Sequence, residues 1–514
     1  MPNPPSTGGS SSLFPLISKK HEIVLFSSTA IALYGYDQGM MSLINTNYSY
    51  LQTMQISKES PIVGIIVSVY YLGCAVGAIV ASWLADREGR KPSIFTCLAT
   101  TAFGNILMFI SGLSMNGTSP WKGGALACML TGRVIMGLGV GGIDAVIPIY
   151  SSELASDKSR GRALAQEFQM NIFGLLMAYS INLGVTIGLG KQNQWAWRIP
   201  IIVMQIFPLV LMSVISQLPE TPRWYISKER KEDARKALIH VHGKEKAEGL
   251  LESIQKAQDE ESNEKVGYKD MLIPGGSQYH PSMVTVMGQI NQALTGYGAV
   301  SVYGPQIFEL LGFQTQKAEY LTLGNYISYF LMMTSPGFGL STSFALLTIF
   351  GGLAQSVPGV PILAVEIPGS IVLFVATAIF GIGWLATVWL IPTEIYPSTA
   401  RAQGSAISVI VWGFANFTIT LLTPVGFNNL KYWLFLIFAA TNAFAGWWTW
   451  RYSPESGGRS FEENQEFFNS ARDDGSWVVK NVDGGKFVKM PSKKKRDSES
   501  GEDGESAPLL RNRR

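Results

Sequence analysis

Charge is scarce in this chain. Asp, Glu, Lys and Arg make up 15% of the 514 residues, 47% are hydrophobic, and the mean hydropathy is +0.19. Soluble domains carry about 25% charged residues, so the deficit points to a membrane protein. The net charge of +3 is too small to attract nucleic acid. Histidine and cysteine are rarer still. Four histidines are scattered at positions 21, 240, 242 and 280, and Cys74, Cys97 and Cys128 fall singly inside apolar runs as small buried hydrophobes. No metal-ligand spacing, phosphate loop or nucleophile motif stands out, which argues against an enzyme and implies no cofactor. The N-terminus lacks a charged-then-apolar signal pattern, and residues 1–21 read as a disordered cytoplasmic tail.

What the chain has in abundance is glycine, 53 residues of it, and long apolar runs. A bilayer span needs about 20 apolar residues. Runs near 22–45, 61–85, 93–112, 122–149, 161–189 and 195–218 form one set. A second set lies near 282–311, 318–335, 340–354, 367–393, 402–424 and 430–452. Between them, residues 219–280 are amphipathic, helix-forming and poor in aromatics. The expected division is therefore a six-helix bundle over 22–218, a helical linker over 219–280, a second six-helix bundle over 281–452 and a tail from 453, disordered from about 470. Such a layout suits transporters that rock about a site at the membrane midplane.

Lys and Arg collect in alternate loops. Arg87, Arg90 and Lys91 crowd the bend at 86–92, Lys158, Arg160 and Arg162 that at 157–162, and eleven more occupy 219–280. The intervening loops hold one or two each, among them Lys58, Lys122, Lys191 with Arg198, Lys317 and Lys431. The positive-inside rule puts the first group, and both termini, in the cytoplasm. Asn47 and Asn116 open glycosylation sequons in outer loops. In the tail, "KKKR" (493–496) is a solvated basic run or a contact for anionic lipid.

Five segments recur in order along the chain. "LADREGRK" (84–91) resembles the Asp-Arg-x-Gly-Arg-Arg/Lys loop of the major facilitator superfamily. "GRVIMGLGVGGIDAVIPIYSSELASDKSRGRA" (132–163), "LPETPRWY" (218–225), "WLIPTEIYPSTARAQG" (389–404) and "SPESGGRSFEE" (453–463) resemble signature segments of its sugar porters, in a fungal flavour. The resemblance implies an all-α membrane protein with the twelve-helix major facilitator fold, two six-helix bundles joined by a cytoplasmic helical loop. It also implies a gating network of charges on the cytoplasmic side: Asp86, Arg87, Arg90, Glu153, Arg160, Glu220, Arg223, Glu394, Arg401 and Glu455. In that family the loop Asp caps a neighbouring helix and the basic residues clamp two helices in one state.

Asp37, in "IALYGYDQGMMS" (31–42), lies deep in the first span, where an ionisable group is costly and a functional candidate by default. Arg133 reads as the only base at comparable depth. Resemblance to proton-coupled sugar porters gives Asp37 the coupled proton and Arg133 the tuning of it. Asp144 is a rival acid nearer the cytoplasmic end.

Sugar sites need amide partners and an aromatic floor. In frame with the family's seventh helix, "GQINQALTGYGAVSVYGPQIF" (288–308) keeps Gln292 and Tyr303 of the expected glutamine and tyrosine pairs. Ala293, Gly298 and Val302 stand where the other polar or aromatic groups belong. Phe168 replaces an expected glutamine, with Gln169 one place on. The candidate substrate contacts are Gln292, Trp389 and Asn416, with Asn291, Gln169 and Tyr297 as further ones and Asn171 able to compensate. A second Asp-Arg loop, expected between the eighth and ninth spans, is missing from "ISYFLMMTSPGFGLSTSFALLTIFGG" (327–352). Either this helix pair is short or a stretch is absent from the sequence.

The function expected is import of a neutral sugar or polyol across the plasma membrane by a functional monomer, coupled to protons. An uncoupled facilitator and a non-transporting nutrient receptor of the same fold are the alternatives.

Overall fold

The computed structural model describes residues 19–113, 124–154, 160–261, 266–331, 362–385, 387–453, 468, 482–483 and 486–487. The N-terminal tail, Asn116, the short pair's 332–361, Glu455 and nearly all of the C-terminal tail fall outside them. The first half comprises α1 (Lys19–Ile44), α2 (Tyr48–Met54), α3 (Pro61–Glu88), α4 (Arg90–Ile110), α5 (Gly124–Leu154), α6 (Arg160–Leu189), α7 (Trp195–Met204) and α8 (Ile206–Ile215). Four helices follow: α9 (Pro222–Ser227), α10 (Lys231–His242), α11 (Lys244–Glu261) and α12 (Tyr268–Leu272). The second half has α13 (Tyr279–Leu294), α14 (Tyr297–Leu310), α15 (Thr315–Leu331) and α16 (Ile362–Phe380), then a π-helix (Gly381–Leu385). It ends with α17 (Thr387–Ile395), α18 (Ser398–Asn429) and α19 (Trp433–Tyr452). Two-residue strands β1 (Val482–Asp483) and β2 (Lys486–Phe487) pair antiparallel.

Seven described stretches are long and apolar enough to cross a membrane: 61–88, 90–110, 124–154, 166–189, 195–215, 367–395 and 403–429. The expected spans at 22–45, 282–311 and 430–452 are helical over most of their length but do not meet that measure, and of 318–335 the described part, to Leu331, is helical. Apolar side chains cover both faces of α3. Ile66, Val67, Tyr70 and Cys74 are buried, while Val76, Val80 and Trp83 are exposed on the opposite face, as lipid contact requires.

Small residues decide which helices touch. In water-free surroundings helices associate by close packing, so a missing Cβ matters more than apolarity. Gly73 and Gly77 of α3 lie against the backbone of Val134 and Leu138 in α5, and Gly137 and Gly141 of α5 lie against Tyr70 and Cys74. Gly35 and Gly39 of α1 meet Asn171 and Leu175 of α6 in the same way. Each pair is spaced by four residues and so lines one helix face. These contacts make α3–α5 and α1–α6 the tightest pairs of the first half, and α3 also packs along α18 of the second.

Three breaks interrupt the expected spans, and two of them have a local cause. The run 195–215 divides at Gln205, where Pro208 cannot return a backbone N–H to Met204. The run 282–311 divides at Gly296, whose φ of +79° belongs to the left-handed region. The π-turn at 381–385 precedes α17; such turns sit often at functional sites.

Candidate substrate and proton sites

The deepest polar contact in the first half joins α1 to α5. Arg133 Nη1 donates to Asp37 Oδ1 at 2.5 Å, and both residues are 1% exposed. The other two nitrogens of Arg133 are bonded too: Nε to Ile66 O at 3.2 Å and Nη2 to Val67 O at 3.3 Å, both on α3. The guanidinium also lies 4.6 Å from the centre of the Tyr70 ring. Two buried charges are tolerable only when paired and bonded in this manner. A proton arriving on Asp37 would remove the attraction and leave Arg133 short of a counter-charge.

A wall of aromatic rings runs across the seam between the halves. Phe168 of α6 stacks on Trp389 of α17 with centroids 5.7 Å apart. Trp389 meets Trp412 of α18 edge-on at 5.8 Å, and Trp412 meets Tyr34 of α1 at 5.4 Å and Tyr71 of α3 at 5.2 Å. Amides flank the wall. Gln38 Nε2 donates to Tyr34 Oη at 2.7 Å, and Gln292 Nε2 to Trp384 O, in the π-turn, at 3.0 Å. Asn416 Nδ2 returns to Trp412 O at 2.9 Å, and its Oδ1 faces Gly298. Asn291 is fully buried, with neither amide atom bonded among the described residues. Tyr297 stacks on Phe380 at 3.9 Å.

The charged bend at 83–93 is a turn held from three sides. Gly89 takes φ +111°, and a Cβ there would fall 2.6 Å from Glu220 Oε2. That oxygen accepts from the Lys91 amide at 2.8 Å and so caps α4, while Glu220 Oε1 accepts from the Thr221 amide at 2.8 Å. Burial pushes the Glu220 carboxyl up, against the pull of these amides and of the Arg90 guanidinium. Arg90 bridges Asp86 and Glu153, each at 3.3 Å. Removing the cap by Glu220→Ala is expected to lower unfolding stability by about 1–2 kcal/mol. A thermal-unfolding scan of the purified protein checks it, and an unchanged midpoint would remove Glu220 from this role.

At the end opposite the bend, contacts cross between halves. Lys58 Nζ pairs with Glu309 Oε2 at 2.9 Å and Lys191 Nζ with Glu319 Oε1 at 2.5 Å, while Asn428 Nδ2 donates to Glu59 O at 3.0 Å. Tyr179 Oη donates to Glu319 O at 3.0 Å and its ring meets Tyr326 edge-on. A cleft of about 350 Å³ remains there, lined by Lys58, Tyr303, Glu309 and Phe427 among others. Nearer the bend, Ser405 Oγ of α18 donates to Ala145 O of α5 at 3.2 Å.

Compared with known families, residues 23–468 match the family described as sugar (and other) transporter. The chain belongs to the sugar (and other) transporter family. Its relatives there are distant. The major myo-inositol transporter IolT of Bacillus subtilis is 26% identical over 476 residues, covering 87% of this chain and 94% of that protein. The sugar transporter STL1 of Saccharomyces cerevisiae is 27% identical over 491 residues, covering 90% and 84%. Among solved structures, the proton:xylose symporter XylE bound to 6-bromo-6-deoxy-D-glucose superposes with a TM-score of 0.71 at 22% identity, covering 87% of this chain and 99% of that one. The fold is therefore the major facilitator fold, in two six-helix bundles, and the family is one of transporters rather than enzymes.

Within that family's pattern the structure corrects several expectations. Gln169 does not reach the wall: it is exposed on the α6 stripe that carries Phe173 and Ser180, about 100° round from Phe168. Asn171 is turned to α1, where its Nδ2 bonds Ile31 O at 3.4 Å. The capping carboxylate of the bend is Glu220 rather than Asp86, whose side chain bonds Arg90 across the Gly89 bend. Arg87 points outward, and among the described residues it pairs with its neighbour Glu88 at 3.1 Å and lies over Trp83. Arg198, expected as a loop charge, is fully buried in α7. It donates to Phe109 O and to Ser111 O at the end of α4 and packs on Trp197, so it is a buried base at the helix ends rather than a solvated one. Asn47 is buried and caps α2 through Oδ1, which leaves no room for a glycan on that side chain. Arg223 and Glu394 are half-buried and Arg401 is buried. The side chain of Arg160, and Glu455 entirely, lie outside the described residues.

Sequence reasoning missed Tyr34, Tyr71, Trp412 and Gln289. Gln289 is fully buried and bonds Ser408 Oγ at 2.6 Å. Spacing could have found two of them, since Gln289 precedes Gln292 by one turn and Trp412 precedes Asn416 by one turn.

Proposed function

We propose that this protein is a secondary transporter that imports a neutral monosaccharide or polyol together with protons across the plasma membrane, as a monomer with both termini cytoplasmic. The bundles at 22–218 and 281–452 rock about the aromatic wall, with 219–280 as the linker. The observation that carries the reading is the sealed Asp37–Arg133 pair. Such a pair is a proton-sensitive link between α1 and α5, and hydration on opening shifts its balance between charged and neutral forms. XylE, of like fold, is by its name a proton:xylose symporter. IolT is by its name a major myo-inositol transporter, which brings a polyol within the substrate class. Gln292, Asn291 and Asn416 are the hydrogen-bonding groups in this reading, with Trp389 and Tyr297 as apolar surfaces for the ring. Arg90, Glu153 and Glu220, joined by Asp86, Arg223, Glu394 and Arg401, hold the cytoplasmic side.

The test is uptake of radiolabelled D-glucose, D-xylose and myo-inositol in transporter-null cells, with and without a protonophore. Accumulation that the protonophore abolishes is expected for at least one of the three. Accumulation that ignores it would replace the symporter by a facilitator, and binding without uptake would replace both by a receptor. For the accepted solute, Trp389→Ala is expected to raise KM about tenfold, equivalent to ~1.4 kcal/mol, with surface expression unchanged. An unaltered KM would take Trp389 out of the site.

A further inference from the structure

Asp144 of α5 carries the argument furthest. It is 4% exposed, and neither carboxyl oxygen has a hydrogen-bond partner among the described residues. Asp37, equally buried, has a guanidinium. Along the helix Asp144 lies about 16 Å from Arg133, too far to share it. The titratable groups around it are Tyr34 of α1 and Tyr70 and Cys74 of α3. On neighbouring faces, Cys97 of α4 approaches Gly142, Glu167 of α6 is near Ser151, and Glu220 lies beyond Tyr150 at the helix end. None of these described groups is a cation, and Arg401, the buried base of α18 one turn before Ser405, is not among the groups that act on Asp144.

An ionised carboxylate buried without a counter-charge or a donor costs several kcal/mol. The packing around Asp144 therefore accommodates the neutral acid, whereas the packing around Asp37 accommodates the anion. One residue further on, Ala145 O accepts the Ser405 hydroxyl that ties α5 to the second half. If the halves part along that seam, the α5 segment that carries Asp144 is opened to water. We propose that Asp144 is a second proton-carrying carboxyl of this transporter, protonated while the α5–α18 seam is shut and ionised when it opens. In the step itself the carboxyl O–H bond breaks, the proton leaves on water as hydronium, and the carboxylate remains hydrated. The proposal rests on rocking of the two halves, but not on Asp37 or on the identity of the solute.

The experiment is infrared spectroscopy of the purified, reconstituted full chain at neutral pH, with no solute present. The wild-type spectrum minus that of Asp144→Asn is expected to show a protonated-carboxyl C=O band. Asp37→Asn should keep the band, and Asp144→Glu should return it at a shifted frequency. A difference spectrum without such a band overturns the proposal. Should Asp144→Asn fail to fold, Asp144→Glu decides alone: a band that does not move in frequency is equally fatal. Loss of protonophore-sensitive uptake is a separate measurement, so the symporter reading and this one fail independently.

Discussion

Asp37→Asn abolishes accumulation of the transported solute while exchange down its gradient continues. That is the expected result, and it follows from what the amide keeps and what it loses. Asparagine has nearly the shape of aspartate and can still accept one hydrogen bond from Arg133, so the α1–α5 contact survives. It cannot bind or release a proton, so the proton gradient loses its hold on the conformation. Arg133 meanwhile retains the carbonyls of Ile66 and Val67 and the ring of Tyr70. Stability should thus fall by less than the 3–5 kcal/mol that follows when one member of a buried pair is deleted outright, as Asp37→Ala would do. Uptake against counterflow in the same vesicles makes the comparison. Concentrative uptake by Asp37→Asn would sink the coupling role.

Gly77→Leu is expected to eliminate most of the folded protein. A Cβ at Gly77 would stand 2.0 Å from Leu138 O, and that obstacle is helix backbone, which cannot swing aside. Relief requires α3 and α5 to separate, undoing the contacts of Gly73, Gly137 and Gly141 as well. Overpacking usually costs about 1–3 kcal/mol; with backbone against backbone the upper end or more applies. Gly184→Ala in α6 is the control, since nothing lies within 4 Å of a Cβ there. It should leave yield unchanged or slightly improved through helix propensity. Monodisperse yield on size exclusion reads both, and a normal yield of Gly77→Leu would show that the two helices are not in close contact.

The bend at 83–93 shows how far a motif carries. Its basic residues and its glycine are legible in the sequence, and so is a carboxylate cap as the family's device. Which carboxylate does the capping is not legible, because Glu220 is distant in sequence and reaches Lys91 only after the first half has folded. Arg87 is an equal member of the motif on paper, yet in the turn it points outward and pairs with Glu88. Helix phase decided that, and a loop motif does not record phase.

The sequence by itself determined the class and much of the architecture. Apolar runs of span length demand a membrane, and backbone groups in lipid demand helices. It also singled out Asp37 and Arg133, because buried charge is too costly to be incidental. Only the tertiary structure decided the pairing partners and the site's composition. Tyr34, Tyr71, Phe168, Trp389 and Trp412 come from five helices in both halves, and no local pattern joins them. The same holds for Asp144, whose isolation is a property of its neighbours. Periodicity reports what a helix can bury, and the packing of other helices against it settles what each buried group will find there.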